Sequence, residues 1–327
     1  MRSPHYYSVA VRLPSGKIRV RSRVFRGLGE RFPFLKRPVL RGVVGMLESM
    51  ALGMRALNLS AAWAEAEATP RGDKESAPVS GSSLAIAATM AVSIAIAMGL
   101  FVALPHGLAA WWTGRIEGFA FHVVDGLIKM AVLLAYVYAI GWMKDIYRVF
   151  QYHGAEHQSI YAFEAGEPLT VDSASKQTRL HPRCGTSFLL FVVLVSVGVF
   201  TIVFPVFGVE RLLPAGFSKH FAMIGIKIGL MLPVAGLAYE VIKFSAKHQD
   251  RMIMRAIGAP GMWLQNLTTR PPEQEHLAVA LVALKQVLAL ETGTPKDKRA
   301  EEPEDFEVAA PEDVQESGSS VAEFAET

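Results

Sequence analysis

The sequence holds a single cysteine, Cys184, in 327 residues. No internal disulfide can form, so the disulfide frameworks of small secreted domains are excluded and the thiol is left to ligate or to pack. Charge is scarce as well. Asp, Glu, Lys and Arg make up 19% of the chain against 51% hydrophobic residues, and mean hydropathy is positive, whereas an ordinary soluble globule is about a quarter charged. The first 30 residues contain no apolar core segment, so no secretory signal peptide is visible. Glycine-rich phosphate loops, a Gly-x-Ser-x-Gly elbow and zinc-ribbon cysteines are all missing. Nothing in the chain calls for nucleic acid as a partner.

What the chain has instead is apolar length. Four stretches reach the roughly 20 residues that cross a bilayer core of about 30 Å. Residues 84–104 and 187–209 carry no charge, 119–143 holds Asp125 and Lys129, and 221–244 holds Lys227 and Glu240. A mainly α, polytopic membrane protein with about four transmembrane helices is the fold class this implies. Ionisable groups inside spans face a bundle interior or snorkel to the surface; structural pairing or snorkelling is the plain reading of Asp125, Lys129 and Lys227.

Basic residues then orient the spans. Residues 1–60 contain twelve Lys or Arg against two acids, Glu30 and Glu48. The segment between the second and third spans adds Lys144, Arg148, Lys176, Arg179 and Arg183, and Lys243, Lys247, Arg251 and Arg255 follow the fourth. The remaining two loops offer only Arg115, Arg211 and Lys219. Both termini and the middle loop are therefore expected on the cytoplasmic side.

Within the amino-terminal region 1–63, two alternating segments flank Leu13-Pro-Ser-Gly-Lys17 and predict a short β-hairpin. Leu40, Val44, Leu47, Ala51, Met54 and Leu57 then recur at helical spacing, an amphipathic helix suited to a membrane surface. Residues 64–83 read as a linker and 84–255 as the membrane domain, with a cytoplasmic loop at 144–186. A cytoplasmic helical segment at 256–292 places Leu277, Leu281, Leu284 and Leu288 on one face. Residues 293–327 form an acidic tail with ten acids and no basic residue after Ala300, a composition that predicts disorder.

The chemistry concentrates in the middle loop. Tyr152-His-Gly-Ala-Glu-His-Gln158 places His153 and His157 four residues apart, on one face of a helix if 150–163 is helical, with Glu156 beside them. His-x-x-Glu-His is the inverted zincin order, in which the histidines bind zinc and the carboxylate deprotonates water. His181-Pro-Arg-Cys184 adds a nitrogen and a sulfur three residues apart. His153, His157, His181 and Cys184 are thus candidate ligands of a divalent metal, zinc foremost, and Glu156 is the candidate general base. Four ligands would make a closed structural site; three would leave a position open for catalysis.

Glu164, Arg183 and Glu240 are candidates to complete or support the site, Glu240 either as a ligand or by orienting a ligand imidazole. The plain alternatives are a lipid phosphate or carbonyl as partner of His153 or His157, and pairing of Glu156 with Arg148 or Arg183. For Glu240 the alternative is an ion pair with Lys243 or Lys247. A Cys184 nucleophile with His157 or His181 as base is a further reading.

At these residues the chain resembles the YqhQ-like proteins, a family of bacterial membrane proteins described as predicted metal-dependent enzymes. The resemblance rests on Phe150-Gln-Tyr-His-Gly-Ala-Glu-His-Gln-Ser159, His181-Pro-Arg-Cys-Gly-Thr-Ser-Phe188 and Gln265-Asn-Leu-Thr-Thr-Arg-Pro-Pro272, with weaker likeness at Arg41-Gly42, Glu48 and Ala56-Leu-Asn-Leu-Ser60. It covers roughly residues 1–290. The family's usual Gly-Gly-Gln-Ala-Val-Ile-Glu-Gly type opening would end at Met1-Arg-Ser-Pro4 here, which implies a start upstream of Met1 and one more glutamate. The resemblance implies metal dependence and the inner membrane of a bacterium, and it implies no substrate.

The leading expectation is a metal-dependent hydrolase at the cytoplasmic membrane face, acting on a lipid, a lipid-linked precursor or a membrane-adjacent peptide. A non-enzymatic scaffold with a structural metal is the alternative, its basic amino-terminal region engaging the anionic lipids of the cytoplasmic leaflet. A transporter using Asp125, Lys227 and Glu240 as a polar path ranks third, four spans being few without a homo-oligomer.

Overall fold

The alternating residues on either side of Leu13 form strands β1 (Tyr6–Arg12) and β2 (Ile18–Val24), paired antiparallel from Tyr6↔Val24 to Arg12↔Ile18. Gly16, at φ +89°, closes the connection in a conformation that favours glycine. Tyr6, Ile18 and Val20 point to one face of the ribbon and are buried, while Arg19, Arg21 and Arg23 alternate onto the other. The structure, a computed structural model, describes residues 1–68, 83–209, 217–248, 250–293, 303 and 305–309.

Helix α1 (Leu28–Arg31) and a 3-10 turn (Pro33–Lys36) lead into α2 (Leu40–Ala68). The amphipathic segment of the sequence is thus a longer helix that takes in the start of the expected linker, residues 69–82 of which lie outside the described residues. Leu47, Met50, Met54 and Leu57 are exposed along it, and Trp63 near its end packs on Val11 and Leu13 of the hairpin. At its other end α2 is clamped to the fourth span. Val39 takes φ +72°, an unusual conformation for a β-branched residue, and its N–H donates to Glu240 Oε1 at 3.2 Å. A Cβ on Gly236 would lie 2.5 Å from the Val39 oxygen and one on Gly42 2.6 Å from the Tyr239 Cβ, so both contacts demand glycine.

The first span is α3 (Ser83–Met98), a π turn (Gly99–Ala103) and α4 (Leu104–Thr113), running nine residues beyond its expected end to Gly114 at φ +65°. Pro105 has no N–H to give the preceding turn, and the π turn absorbs that break. α5 (Gly118–Ile140) is the second span. It ends three residues early because Gly141–Met143 turn the chain into α6 (Lys144–Glu164). The expected loop is therefore largely helical, with α7 (Val171–Ser175) following. α8 (Ser187–Val206) and α9 (Phe217–Lys247) are the third and fourth spans. Ala109, Phe121, Phe200, Phe204, Met223 and Val234 form the core of this bundle.

α10 (Met252–Thr268) packs on α8 and α9, and α11 (Gln274–Gly293) returns to the hairpin. Among the described residues five helices are long and apolar enough to cross a membrane, α11 being the fifth. The sequence pattern gives α11 one apolar face, but it is buried nearly all round. Val279 and Val282 meet Ile18 and Val20 of the sheet, and Leu277 and Leu281 meet Ala155 and Ala162 of α6. It is the central helix of a folded unit made with the sheet, α6 and α7.

The acidic tail departs from the expectation of disorder at one place. Phe306–Val308 forms β3, antiparallel to β2, giving a three-stranded sheet in the order β1-β2-β3. Composition alone misses this because the pairing is specific. Arg21 and Arg23 hold Asp305 at 2.7 and 3.0 Å, Arg19 holds Glu307, and Val308 enters the core beside Ile18. Apart from Gly293, Pro303, Asp305 and Ala309, the rest of the tail lies outside the described residues.

Candidate metal centre

Helix α6 presents His153 and His157 one turn apart, with ring centroids 4.4 Å from each other. The turn before α8 brings Cys184 against them. One nitrogen of each ring and the Cys184 Sγ lie within 4.8 Å of one another. His153 Nε2 is 3.2 Å from Sγ. His157 and Cys184 are only 4% and 6% exposed.

Two backbone carbonyls set the tautomers. His153 Nδ1 lies 2.9 Å from the Thr268 oxygen and His157 Nδ1 2.6 Å from the Arg179 oxygen. A carbonyl only accepts, so each Nδ1 carries a proton and each Nε2 is the nitrogen turned toward Cys184. This is the arrangement that orients metal-binding imidazoles. Burial alone would raise the Cys184 thiol, but the two imidazoles facing it bring its pKa down to about 5. Burial also works against the His153 imidazolium, which Cys184, the Thr268 carbonyl and Glu156 together hold above its ordinary range.

His181 is placed differently from its expected ligand role. It is buried beside the cluster, 5.7 Å from the His157 ring, but both nitrogens are engaged. The Arg183 N–H donates to Nδ1 at 3.2 Å, and Nε2 faces Glu164 Oε2 at 3.4 Å. No lone pair of His181 is left for a metal in this geometry. Glu164 also pairs with Arg183. Its burial would raise its carboxyl, but His181 and Arg183 hold it below the ordinary value.

Glu240 is not at the site at all. It forms a two-pronged ion pair with Arg41, Oε1 lying 2.7 Å from Arg41 Nε, and so joins α2 to α9 instead of completing a ligand set. Glu156 stays beside the cluster. It is half-buried, acts electrostatically on His153, and makes no hydrogen bond or ion pair among the described residues.

The residues that position the ligands lie in the 265–272 segment that carries part of the resemblance, and nothing in the sequence pattern signals their roles. Gln265, fully buried, donates to the His181 carbonyl at 2.8 Å and to Ser187 Oγ at 3.0 Å, and accepts the His181 N–H at 2.7 Å. Arg270 N–H donates to the Phe150 carbonyl at 2.9 Å, and Arg179 donates to the Thr269 carbonyl at 2.8 Å. A Cβ on Gly154 would come within 2.4 Å of the Arg270 oxygen, so the glycine between the two histidines is what lets the 265–272 strap lie on α6. The three segments distant in sequence thus meet at one junction, between the span bundle and the sheet unit.

Apolar helices of membrane length, a small folded unit at one end of them, and a His/His/Cys donor group where the two meet define a multi-pass membrane-type protein with a possible metal centre. Within that class the chain belongs to the family described as "Protein of unknown function (DUF1385)", which matches residues 37–290. It is also 30% identical over 302 residues to the "Uncharacterized protein YqhQ" of Bacillus subtilis (strain 168), covering 90% of this chain and 91% of that one. No solved structure matches.

Proposed function

We propose that this protein is a metal-dependent membrane enzyme of hydrolase type, with His153 Nε2, His157 Nε2 and Cys184 Sγ holding a divalent metal, zinc foremost. The observation that carries this is the pair of imidazoles whose Nδ1 protons are both committed to backbone carbonyls, which turns both Nε2 atoms toward one cysteine sulfur. Three donors are one short of the four that close a structural zinc site. A metal held there supplies Lewis acidity and activates water near neutral pH.

The chain's own residues supply the rest. Glu156, on the same helix and without a partner among the described residues, is the group to accept a proton. His181, presenting Nε2–H toward Glu164, is a supported proton donor at the edge of the cluster. The site lies at the cytoplasmic end of the spans of a bacterial inner-membrane protein, where a lipid, a lipid-linked precursor or a membrane-adjacent peptide would reach it. The exposed row of α2 and the groove bearing Arg23, Arg26 and Arg55 beside Leu47 suit the anionic lipids of that face.

Purified protein carrying Glu156→Gln tests the reading. Bound metal should stay near the wild-type amount while turnover on membrane-lipid extracts falls by about 100-fold or more, the scale of general-base loss. Metal lost together with activity would make Glu156 a ligand and remove the base.

One observation favours a second reading, a scaffold with a structural metal. The donors are buried and come from α6 and from the turn that begins α8, so a metal would tie the sheet unit to the bundle. Chelation would then unfold the protein, and no activity would appear. The transport reading loses Glu240 to its pair with Arg41.

A further inference from the structure

Helix α10 carries apolar residues on two opposite faces. Gly261, Leu264, Gln265 and Thr268 face the bundle and are buried. A Cβ on Gly261 would lie 2.7 Å from the Ser187 Cβ and 3.0 Å from the Phe191 ring, so this face rests on the first turns of α8. Near its start the helix is fastened to α9 by the Ser245 hydroxyl, which donates to the Met254 carbonyl at 2.8 Å. On the far side Met252, Ala256, Ala259 and Trp263 follow at intervals of four, three and four residues, one helical stripe, and all four are exposed. Ile253 and Ile257 are exposed on its flank, while Arg251, Arg255 and Asn266 form a narrow polar edge.

The 17 residues of α10 extend about 25 Å, too short for a bilayer core of about 30 Å. An open apolar stripe with a charged edge suits the plane of a membrane surface instead. The charge beside the stripe says which surface. Lys243, Lys247, Arg251 and Arg255 are exposed directly after the fourth span, against one exposed acid, Asp250. Four cations at such a place complement anionic head groups, whereas an apolar protein partner would leave them without counter-charges. Depth agrees. Trp142, just past the end of α5, is exposed like Trp263, and indoles collect at the head-group level. The two regions adjoin, since a Cβ on Gly141 would lie 3.3 Å from Nη2 of Arg270, two residues beyond α10.

The last turn of α10 supplies the Gln265 amide that clamps the His181 backbone and the Thr268 carbonyl that accepts from His153. We propose that α10 lies half-sunk in the cytoplasmic leaflet among anionic head groups, and that the bilayer thereby holds the strap that orients the His/Cys cluster. The seat in the leaflet stands on the reading of α8 and α9 as spans. Its consequence for a metal rests on the function proposed above. Drawn out of the leaflet, the Met252–Trp263 stripe would face water, and the strap would lose the support at its first end.

The experiment is tryptophan fluorescence of the full-length protein in phosphatidylglycerol nanodiscs whose acyl chains carry bromine near the head-group end. Trp263 is one of five tryptophans, and subtracting the emission of Trp263→Phe isolates its share. That share should be quenched by the brominated lipid, and an unquenched Trp263 overturns the seat in the leaflet without any further variant. Ala256→Glu, and Met252→Glu at the open end of the stripe, should each lose the quenching in protein that stays monodisperse; quenching kept by both overturns the stripe as the contact. With the quenching lost, hydrogen exchange of the 265–270 amides should run faster than in wild type, and unchanged rates overturn the hold on the strap. The same amides should exchange faster in uncharged phosphatidylcholine discs, and equal rates in the two lipids overturn the assignment to anionic head groups. None of these readouts uses a metal, so wild-type protein that binds none would sink the proposed enzyme and leave the lipid seat standing.

Discussion

The Thr268 carbonyl accepts the His153 Nδ1 proton at 2.9 Å, so a residue 115 positions further along the chain decides which nitrogen of His153 faces Cys184. The same logic holds for His157 and Arg179. It separates His153 and His157, whose Nε2 atoms are turned toward Cys184 within one donor group, from His181, whose nitrogens are taken by the Arg183 N–H and Glu164 outside that group. Metal analysis of purified variants follows from this. His153→Ala, His157→Ala and Cys184→Ser should each lose stoichiometric metal, whereas His181→Asn should lose no more than the roughly 10–100-fold in affinity typical of a supporting group. A His181→Asn protein as empty as His153→Ala would restore His181 to the ligand set.

Gly154 sits between the two histidines with the Arg270 carbonyl oxygen directly over it. A methyl group there would stand 2.4 Å from that oxygen, and the oxygen belongs to backbone that cannot swing aside. Gly154→Ala should therefore cost about 1–3 kcal/mol, the usual penalty for overpacking, even though alanine is the better helix former. Thermal unfolding in detergent reads the loss, and metal content should fall with it because the strap carries the Thr268 acceptor. A variant as stable as wild type would mean that the strap does not lie on α6.

Much of this arrangement is legible in the sequence, and the failures have identifiable causes. Uncharged runs such as 187–209 announce themselves, because apolar length is a local property. His153 and His157 are equally plain, since four-residue spacing on a helix fixes their relation. His181 and Glu240 misled because their roles are decided by partners elsewhere, the Arg183 N–H and Glu164 for one and Arg41 for the other. Glu240 has Lys243 and Lys247 near it in sequence, yet the closer cation in space comes from α2, nearly two hundred positions away. The strand at Phe306–Val308 was hidden for the same reason: its acidic neighbours look like a solvated tail until Arg19, Arg21 and Arg23 are set opposite them.

Gln265 is the residue whose importance only the fold discloses. Its amide makes three hydrogen bonds, two to the His181 backbone and one to Ser187 Oγ, with no access to water. Gln265→Leu would leave those groups buried without partners, at about 1–3 kcal/mol for such a loss. Hydrogen exchange should accelerate at the 181–186 amides while the middle of α8 stays protected. Equal acceleration along α8 would mean that the substitution unfolds the bundle generally and that the clamp is not local.

The amino-terminal hairpin is tied to α11 by a carboxylate, and that tie is pH-dependent. Glu291, 5% exposed, accepts from Ser3 Oγ at 2.7 Å and from the His5 N–H at 3.1 Å, and its other oxygen lies 2.6 Å from His5 Nδ1. Burial would raise its carboxyl, but these contacts hold it below the ordinary value of 4.5. A carboxylate depressed on folding contributes stability that is fully present above its unfolded pKa and is lost as pH falls through the folded one. Glu291→Gln should therefore be less stable than wild type near pH 7, by about 1.5–3 kcal/mol if the charged hydrogen bonds are worth their usual amount. The gap should narrow as pH drops below about 4.5, where the unfolded carboxylate protonates first. Unfolding of the two proteins side by side from pH 7 to 3.5 measures it, and a gap that is constant over this range would show that the glutamate acts through packing and not through its charge.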